Sequence, residues 1–419
     1  NIYRSPAMNI DADNTLTHLL NYSTFNLTAS LRSFGLDRYD VVVAFTTPPL
    51  IGLTGALLKR LRGSKFVQFV ADLYPDVAVE LGYLDEGSLV HHTANKATNY
   101  LFNRADSIVA LGKKMESRIQ DKASIDSSKI EIIHNWADED NVFPVPDDQN
   151  WFLNEHGLRD KFVVQYSGHI GVGHDFSAII SAMKKLRDID DLVFLIIGEG
   201  PKKEELEDAK KKHNLNNVKF LPYQDKGDLA YSLSAADVSL ATLKHGLEGL
   251  MVPSKIYGML ASGRPAIFLG SEESELARII DKGDCGYTMP ATDGEKLTRA
   301  IEKLYSDKVN FMIYANSTLN LPRNINSKQV DNDVEALKQS KRDSYSKYGI
   351  YTSRILAVFH PEIYLKADML FLETFDNKQL SSYIFATNDS TQSQFNINSI
   401  RLKDYNIVKS RETYPSDVP

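Results

Sequence analysis

Cysteine is almost missing from this chain: 419 residues hold one, Cys285. A single cysteine excludes an internal disulfide framework and fits a reducing compartment. An excess of basic charge is missing too. Lys and Arg number 48 against 55 Asp and Glu, a net charge of −7, so nothing here points to a nucleic-acid partner. Metal-ligand spacing is lacking as well. His91 and His92 are adjacent and cannot share a helix face, and there is no H-E-x-x-H and no cysteine cluster. Neither a P-loop nor a G-x-S-x-G turn occurs. The start, Asn1 to Asp13, carries no apolar core of a signal peptide. The longest uncharged run, Val41 to Leu58, is long enough to raise the question of a membrane span. The break at Thr46-Thr47-Pro48-Pro49 answers it: a strand Val41–Phe45, a loop, then a helix from near Leu50.

What is present is a strand–helix rhythm. The length calls for two α/β domains and a remainder. Residues 1–39 are irregular, then weakly helical from Leu16 to Phe34. From Val41 on, apolar runs at Val41–Phe45, Phe66–Ala71, Ser107–Ala110 and Ile130–Ile133 alternate with helical stretches. That alternation predicts a parallel sheet covered on both faces. His134 to Asp160 is rich in Asp, Asn and Pro and reads as a linker. A second series follows with strands at Phe162–Tyr166, Leu192–Ile197, Val218–Leu221, Val238–Ala241, Ala266–Leu269 and Gly286–Met289. The division is therefore 1–150, 151–338 and an extension 339–419, where the rhythm is lost. Ligands of doubly wound sheets bind beyond the carboxyl ends of the strands.

Several stretches at such ends could do chemistry. Asp72, in DLYP just past a buried strand, is a candidate general base or hydroxyl ligand. YSGHIGVGHDF (166–176) offers Gly168, Gly171 and Gly173 for close backbone approach, with His169 and His174 as donors. Its G-x-x-G-x-G spacing is not the dinucleotide fingerprint. GEGPKKEEL (198–206) has Gly198 and Gly200 in a tight turn, Pro201 as a helix start, and Glu199 and Lys202 within reach of a ligand. In LEGLMVPSKIYGMLASGRPAIFLG (247–270), Glu248 sits in a loop, Pro253 opens a short helix, and Ser254 and Lys255 lie in its first turn. A hydroxyl, a lysine and free N–H groups suit phosphate, and the carboxylate suits sugar hydroxyls. Each stretch alone also reads as an ordinary turn of an α/β protein. The cluster Lys59, Arg60, Arg62 and Lys65 could lie on an anionic membrane surface, or form a solvated helix end.

Taken together, DLYP (72–75), HNWAD (134–138), YSGHIGVGHDF (166–176), FLIIGEGPKKEEL (194–206), FLPYQDKGDLAYSLSAADVSL (220–240) and VPSKIYGMLASGRPAI (252–267) resemble the GT-B glycosyltransferases of family 4. The likeness is greatest to bacterial enzymes of polysaccharide and lipopolysaccharide assembly, and runs from about residue 40 to 338. It implies two Rossmann-like domains facing a cleft, the second holding a nucleotide-sugar and the first a glycan or lipid-linked acceptor. Such enzymes are usually metal-independent and need no cofactor, the nucleotide-sugar being the donor substrate. By this resemblance Gly168–Gly173 and Ser254-Lys255 hold a diphosphate. The turns at Gly198–Gly200 and at Leu221, Pro222 and Tyr223 frame a base, and Glu248 contacts the donor sugar. The expected reaction is retaining transfer from a UDP-sugar, in the cytoplasm at the inner face of the membrane, with the leaving phosphate helping to deprotonate the acceptor.

Some positions depart from the family. A second glutamate that many members carry across this helix falls at Gly258, and an acceptor-side histidine falls at Ala71, beside Asp72. The family's opening strand and glycine-rich loop have no counterpart before Val41, so the first domain is expected to be incomplete at its start. Two other functions share the fold. A sugar-nucleotide epimerase would need an acid–base pair at the sugar carbon, and none is evident. A non-catalytic nucleotide-sugar-binding protein is motivated by the missing opening strand.

Overall fold

The computed structural model describes residues 2–8, 15–135, 137–138, 141–306, 355–358 and 383–387. They form two all-parallel sheets. The first lobe contains β1 (Ile2–Arg4), α1 (Thr15–Gly35), β2 (Val41–Phe45), α2 (Gly52–Arg62), β3 (Lys65–Val70), α3 (Asp76–Glu80), α4 (Leu89–Arg104), β4 (Ser107–Ala110), α5 (Lys113–Ala123) and β5 (Ile130–Ile132). The second contains α6 (Trp151–Glu155), β6 (Phe162–Ser167), α7 (Ser177–Lys185), β7 (Leu192–Ile197), α8 (Lys203–His213), β8 (Val218–Leu221), α9 (Leu229–Ser234), β9 (Val238–Thr242), α10 (Lys255–Ala261), β10 (Ala266–Leu269), α11 (Glu275–Gly283), β11 (Gly286–Met289) and α12 (Gly294–Ser306). Two further strands, β12 (Ile355–Val358) and β13 (Tyr383–Thr387), return to the first lobe.

The second sheet runs in the order β11-β10-β9-β6-β7-β8. Its central strands are apolar on both faces because helices cover both; every residue of β9 and β10 is buried. Two of its helices begin where a side chain takes an orphan amide. Ser274 accepts from Ala277 N–H ahead of α11, and the buried Asn150 accepts from Phe152 N–H ahead of α6. α6 lies inside the stretch that reads as a linker, and its Phe152 and Leu153 join a small core with Val163 and Leu195.

The first sheet runs β1-β13-β12-β2-β3-β4-β5. It is not built from residues 1–150 alone. β12 pairs in parallel with β2, Ile355 opposite Val41 through Val358 opposite Ala44, and β13 and β1 follow outward. The reason is visible in β2: Val42, Val43 and Ala44 are wholly buried, as in a strand with a neighbour on each side. The sequence rhythm is lost after 339, so a strand pair there was not legible. The rest of the extension, residues 307–338 and Trp136 of HNWAD lie outside the described residues.

A single apolar core joins the lobes. Phe66, Val70 and Leu73 of the first belong to one cluster with Leu247, Leu250, Ile256 and Tyr257 of the second. The segment that carries Glu248 and leads into α10 is thus interface as well as site.

Candidate functional site

The loops after β6, β7, β8 and β9 gather at the carboxyl edge of the second sheet, where an α/β fold binds its ligands. Lys255, in the first turn of α10, is at their centre. Its ammonium donates to the Tyr166 hydroxyl, to the His169 carbonyl (3.3 Å) and to His174 Nε2 (3.2 Å). It also lies 3.9 Å from the centroid of the Tyr166 ring. Among the described residues no carboxylate pairs with it. Removal from water without a counter-charge lowers its pKa to about 7. His174 is buried, and burial with the adjoining Lys255 charge holds its pKa down to about 2, so it stays neutral. With Nε2 accepting from Lys255, the proton sits on Nδ1, which is buried and meets no hydrogen-bond partner. A half-buried cation with satisfied donors and an uncompensated charge is suited to an anion.

The helix carrying Lys255 starts later than its sequence suggests. Pro253 precedes it and Ser254 is its N-cap, because the first closure is a tight Tyr257 N–H to Ser254 carbonyl bond. α8 likewise begins at Lys203 rather than Pro201: the Lys202 amide is spent on the Ile170 carbonyl (3.1 Å). That bond is one of several stitching the two glycine loops together. Ile170 N–H donates to Glu199 O, and Gly168 N–H to Ile197 O, both at 2.9 Å. Gly198 (φ 129°) leaves no room for a side chain, since a Cβ there would overlap the Gly168 carbonyl. Gly168 in turn packs on Lys255, its would-be Cβ 3.4 Å from Cε. The structure therefore brings Gly168, His169, Gly171, His174, Ser254 and Lys255 to one place, with Gly198–Gly200 directly behind.

Leu221 and Pro222 lead from β8 along the same edge; Gly198 N–H donates to the Leu221 carbonyl (3.0 Å). Beyond them Tyr223 is half exposed, its hydroxyl donating to the Glu199 carbonyl (3.2 Å) and 3.4 Å from His169 Nδ1. Glu199 and Lys202 do not reach inward. Glu199 pairs with Lys203 (2.7 Å) and Lys202 with Glu205 (3.5 Å), both along the surface of α8.

Glu248 is buried, and its Oε2 accepts from Gly246 N–H (3.0 Å). Its Oε1 accepts no hydrogen bond and lies 3.3 Å from Nδ1 of the exposed His245. Asp72 comes from the first lobe to the same loop: both Asp72 and Glu248 form backbone bridges with Met251, and Leu73 N–H donates to Leu250 O (2.7 Å). Gly258 faces Leu233, and a Cβ there would sit at an ordinary 3.4 Å, so crowding does not explain the missing second carboxylate. Among the described residues no group of three or more His, Cys, Asp or Glu is arranged to hold a metal ion.

Sequence reading missed Tyr166 and the first-lobe residues that reach this loop, Arg118 above all. Tyr166 is wholly buried in the structure, and the signal that could have been used is its place as a polar aromatic closing the run Phe162–Tyr166. Arg118 carries no local signal, because its partners lie 128 and 130 residues away.

The matches to known proteins follow the same division. A family model described as "Glycosyl transferase 4-like domain" matches residues 6–136, and one described as "Glycosyl transferases group 1" matches 149–328. The chain is 32% identical over 271 residues to the probable glycosyltransferase WbjE of Pseudomonas aeruginosa, covering 64% of this chain and 66% of that one. It is 26% identical over 287 residues to the putative colanic acid biosynthesis glycosyl transferase WcaI of Escherichia coli K12, covering 67% and 70%. It thus spans about two thirds of the length of each relative. Sucrose-phosphate synthase of Thermosynechococcus elongatus shares the fold at TM-score 0.66 and 16% identity, covering 81% and 83%. Anabaena HepE in complex with UDP-glucose does so at 0.60 and 16%, covering 77% and 84%. Two parallel-sheet lobes of this kind make the GT-B fold. The chain belongs to the family 4 type of GT-B glycosyltransferases.

Proposed function

We propose that this protein is a retaining glycosyltransferase that moves a hexose from a UDP-sugar to a glycan or lipid-linked acceptor in cell-surface polysaccharide synthesis. The observation that carries the proposal is the uncompensated Lys255 ammonium at the foot of the glycine loop 168–173. A bound diphosphate supplies the missing counter-charge. Lys255, Ser254, Gly168, His169, Gly171 and His174 then form the diphosphate subsite. Gly198 and Gly200, with Leu221 and Pro222, border the base, while Glu199 and Lys202 shape α8 behind it. Glu248 takes the donor sugar's hydroxyls, and Asp72 meets the acceptor across the lobe boundary.

In this reading the bond between the sugar's anomeric carbon and the diphosphate oxygen breaks, and its electrons stay on UDP. The acceptor oxygen forms the new bond on the same face, and its proton passes to the departing phosphate. Charge builds on the leaving group, so a fixed cation there is worth more than a strong base. We assign that role to Lys255 and not to a metal ion, and treat the nucleotide-sugar as substrate, with no further cofactor. The names of WbjE and WcaI support the activity, colanic acid biosynthesis in the name of WcaI supports the pathway class, and the UDP complexes of HepE support the donor. Incubating UDP-sugars with acceptor lipids extracted from bacterial membranes tests it. The expected product keeps the donor's anomeric configuration by NMR; an inverted product, or sugar epimerised without transfer, contradicts it.

We also propose contact with the inner face of the membrane, on different grounds from the basic cluster. Lys59 and Lys65 both pair with Asp106 (2.9 and 3.4 Å), and Arg62 donates to the carbonyls of Leu36 (2.6 Å) and Phe34, so three of the four cations are turned inward. The apolar face beside them is the better feature. Leu20, Leu27 and Leu31 share one side of α1, and Leu53, Leu57 and Leu61 one side of α2, each 41–64% exposed. The helices lie together through Ser30 and Thr54 (2.6 Å). Among the described residues no helix is long and apolar enough to cross a membrane. Flotation with anionic-phospholipid vesicles is expected to carry the wild type and to lose the Leu57→Asp/Leu61→Asp variant by tenfold or more. Equal flotation of both would contradict this contact.

A further inference from the structure

Helix α5 belongs to the first lobe, where it buries Met115 and Ile119 and pairs Lys122 with Asp76 (2.7 Å), yet Lys113, Lys114 and Arg118 nearer its start reach the second. The Lys113 amide donates to the buried carboxylate of Glu275 (2.9 Å), an acidic partner at a helix N-terminus. Lys114 pairs with Glu273. One turn further on, the half-buried Arg118 donates from Nε to the Glu248 carbonyl (2.5 Å) and from Nη2 to the Gly246 carbonyl (3.2 Å). Close approach is enforced at Gly249 (φ 73°), where a Cβ would stand 2.8 Å from the Lys114 backbone. The loop bearing Glu248 is therefore held from the opposite lobe at two carbonyls, those of Gly246 and Glu248, on either side of Leu247. The Glu248 side chain meanwhile keeps Oε1 without a hydrogen bond in a buried setting.

We propose that Arg118 is a positioning residue: its guanidinium fork fixes the backbone at Gly246 and Glu248, so that Glu248 is set against the donor sugar only while the first lobe is closed on the second. This rests on Glu248 as the sugar-contacting carboxylate. The guanidinium suits the task because its planar, rigidly spaced donors fix two acceptors at once. A lysine offers one mobile charge and can hold only one carbonyl well. The consequence is a division of labour. The diphosphate subsite around Lys255 is made by the second lobe alone, whereas the sugar subsite needs both lobes. Nucleotide then binds to either arrangement, and the sugar increment is gained only in the closed one.

Calorimetric titration separates these terms. UDP is used alone, and then as the UDP-sugar that most raises the wild-type melting temperature. In Arg118→Ala, UDP affinity is expected to stay within twofold of wild type, while the affinity ratio of UDP-sugar to UDP shifts fivefold or more. Glu248→Ala is expected to shift the ratio equally, and Arg118→Ala added to Glu248→Ala to shift it no further, since coupled residues are non-additive. Arg118→Lys is expected to recover part of the ratio and Arg118→Gln none, and these two serve where the alanine variant does not fold. The proposal is overturned if the ratio is untouched, if UDP weakens as much as UDP-sugar, or if the two alanine substitutions add. A wild type that binds no uridine nucleotide would instead overturn the donor-site reading on which this rests.

Discussion

Replacing Lys255 by methionine is expected to raise the melting temperature while abolishing donor binding. The two effects have one cause. The ammonium is held where burial has lowered its pKa to about 7 and no carboxylate offsets it. A methionine of similar length lies over the Tyr166 ring in its place and removes the desolvated charge. Removal of such a charge stabilises by about 1–3 kcal/mol after allowing for the acceptor left at His174. That corresponds to roughly 3–9 °C for a lobe of this size. The sign in pH is fixed by the same shift. Between pH 7 and the ordinary lysine range the unfolded chain binds a proton that the native chain does not, so wild-type stability rises with pH there. The methionine variant is expected to lose that rise and to show no UDP-induced shift in melting. A variant that melts lower and still binds UDP would remove Lys255 from the site.

The second large effect is expected at Gly198. An alanine there places its Cβ onto the Gly168 carbonyl, in a backbone region (φ 129°) that L-residues rarely adopt. Neither partner can yield cheaply. Gly168 is bonded to the Ile197 carbonyl and packed on Lys255, and Gly198 is bonded to the Leu221 carbonyl. Strain plus overlap costs on the order of 3 kcal/mol or more. The displaced loop is the one proposed to hold the diphosphate, so UDP affinity should fall by at least tenfold along with stability. Gly227→Ala is the control, since a Cβ there meets nothing within 4 Å. It is expected to stay within about 0.5 kcal/mol of wild type in a urea melt. If Gly198→Ala matches it, the close contact between the two loops is not a real constraint.

The two substitutions differ in how far the sequence announced them. Strand ends were legible because parallel strands buried on both faces are short apolar runs with polar punctuation. Leu192–Ile197, Val218–Leu221, Ala266–Leu269 and Gly286–Met289 sit in the fold as the sequence implies. The glycines that follow two of the strands were legible for the same reason, being placed just where a parallel fold must turn. Helix starts were less so. Lys202 donates to Ile170 and Tyr257 closes on Ser254, bonds that no proline or serine rule foresees, and they move α8 and α10 downstream by two residues. Wholly non-local features could not be read. The environment of Lys255 depends on Tyr166, 89 residues earlier, and the grip on Glu248 on Arg118, 130 residues earlier. The pairing of β12 with β2 escaped for a different reason: four residues of ordinary apolar character carry no signal of which strand they will join. Charge counting misled in one place. Four cations in seven residues looked like a surface patch, yet Asp106 and three backbone carbonyls absorb most of them.

In the proposed donor site a diphosphate sits on the Lys255 ammonium. Calorimetric titration of UDP into the wild-type protein between pH 7 and 9, in buffers of different ionisation enthalpy, tests it most directly. Over this range the terminal phosphate of UDP is already ionised, with its second pKa near about 6, and His174 remains neutral. The free protein has largely lost the Lys255 proton by pH 8, whereas a bound diphosphate restores it. Uptake of close to one proton per UDP is expected at pH 8, with up to about a tenfold loss of affinity per pH unit above 7. Lys255→Met is expected to show neither binding nor proton uptake. Binding that is independent of pH and buffer, or the absence of UDP binding at pH 7, would contradict it.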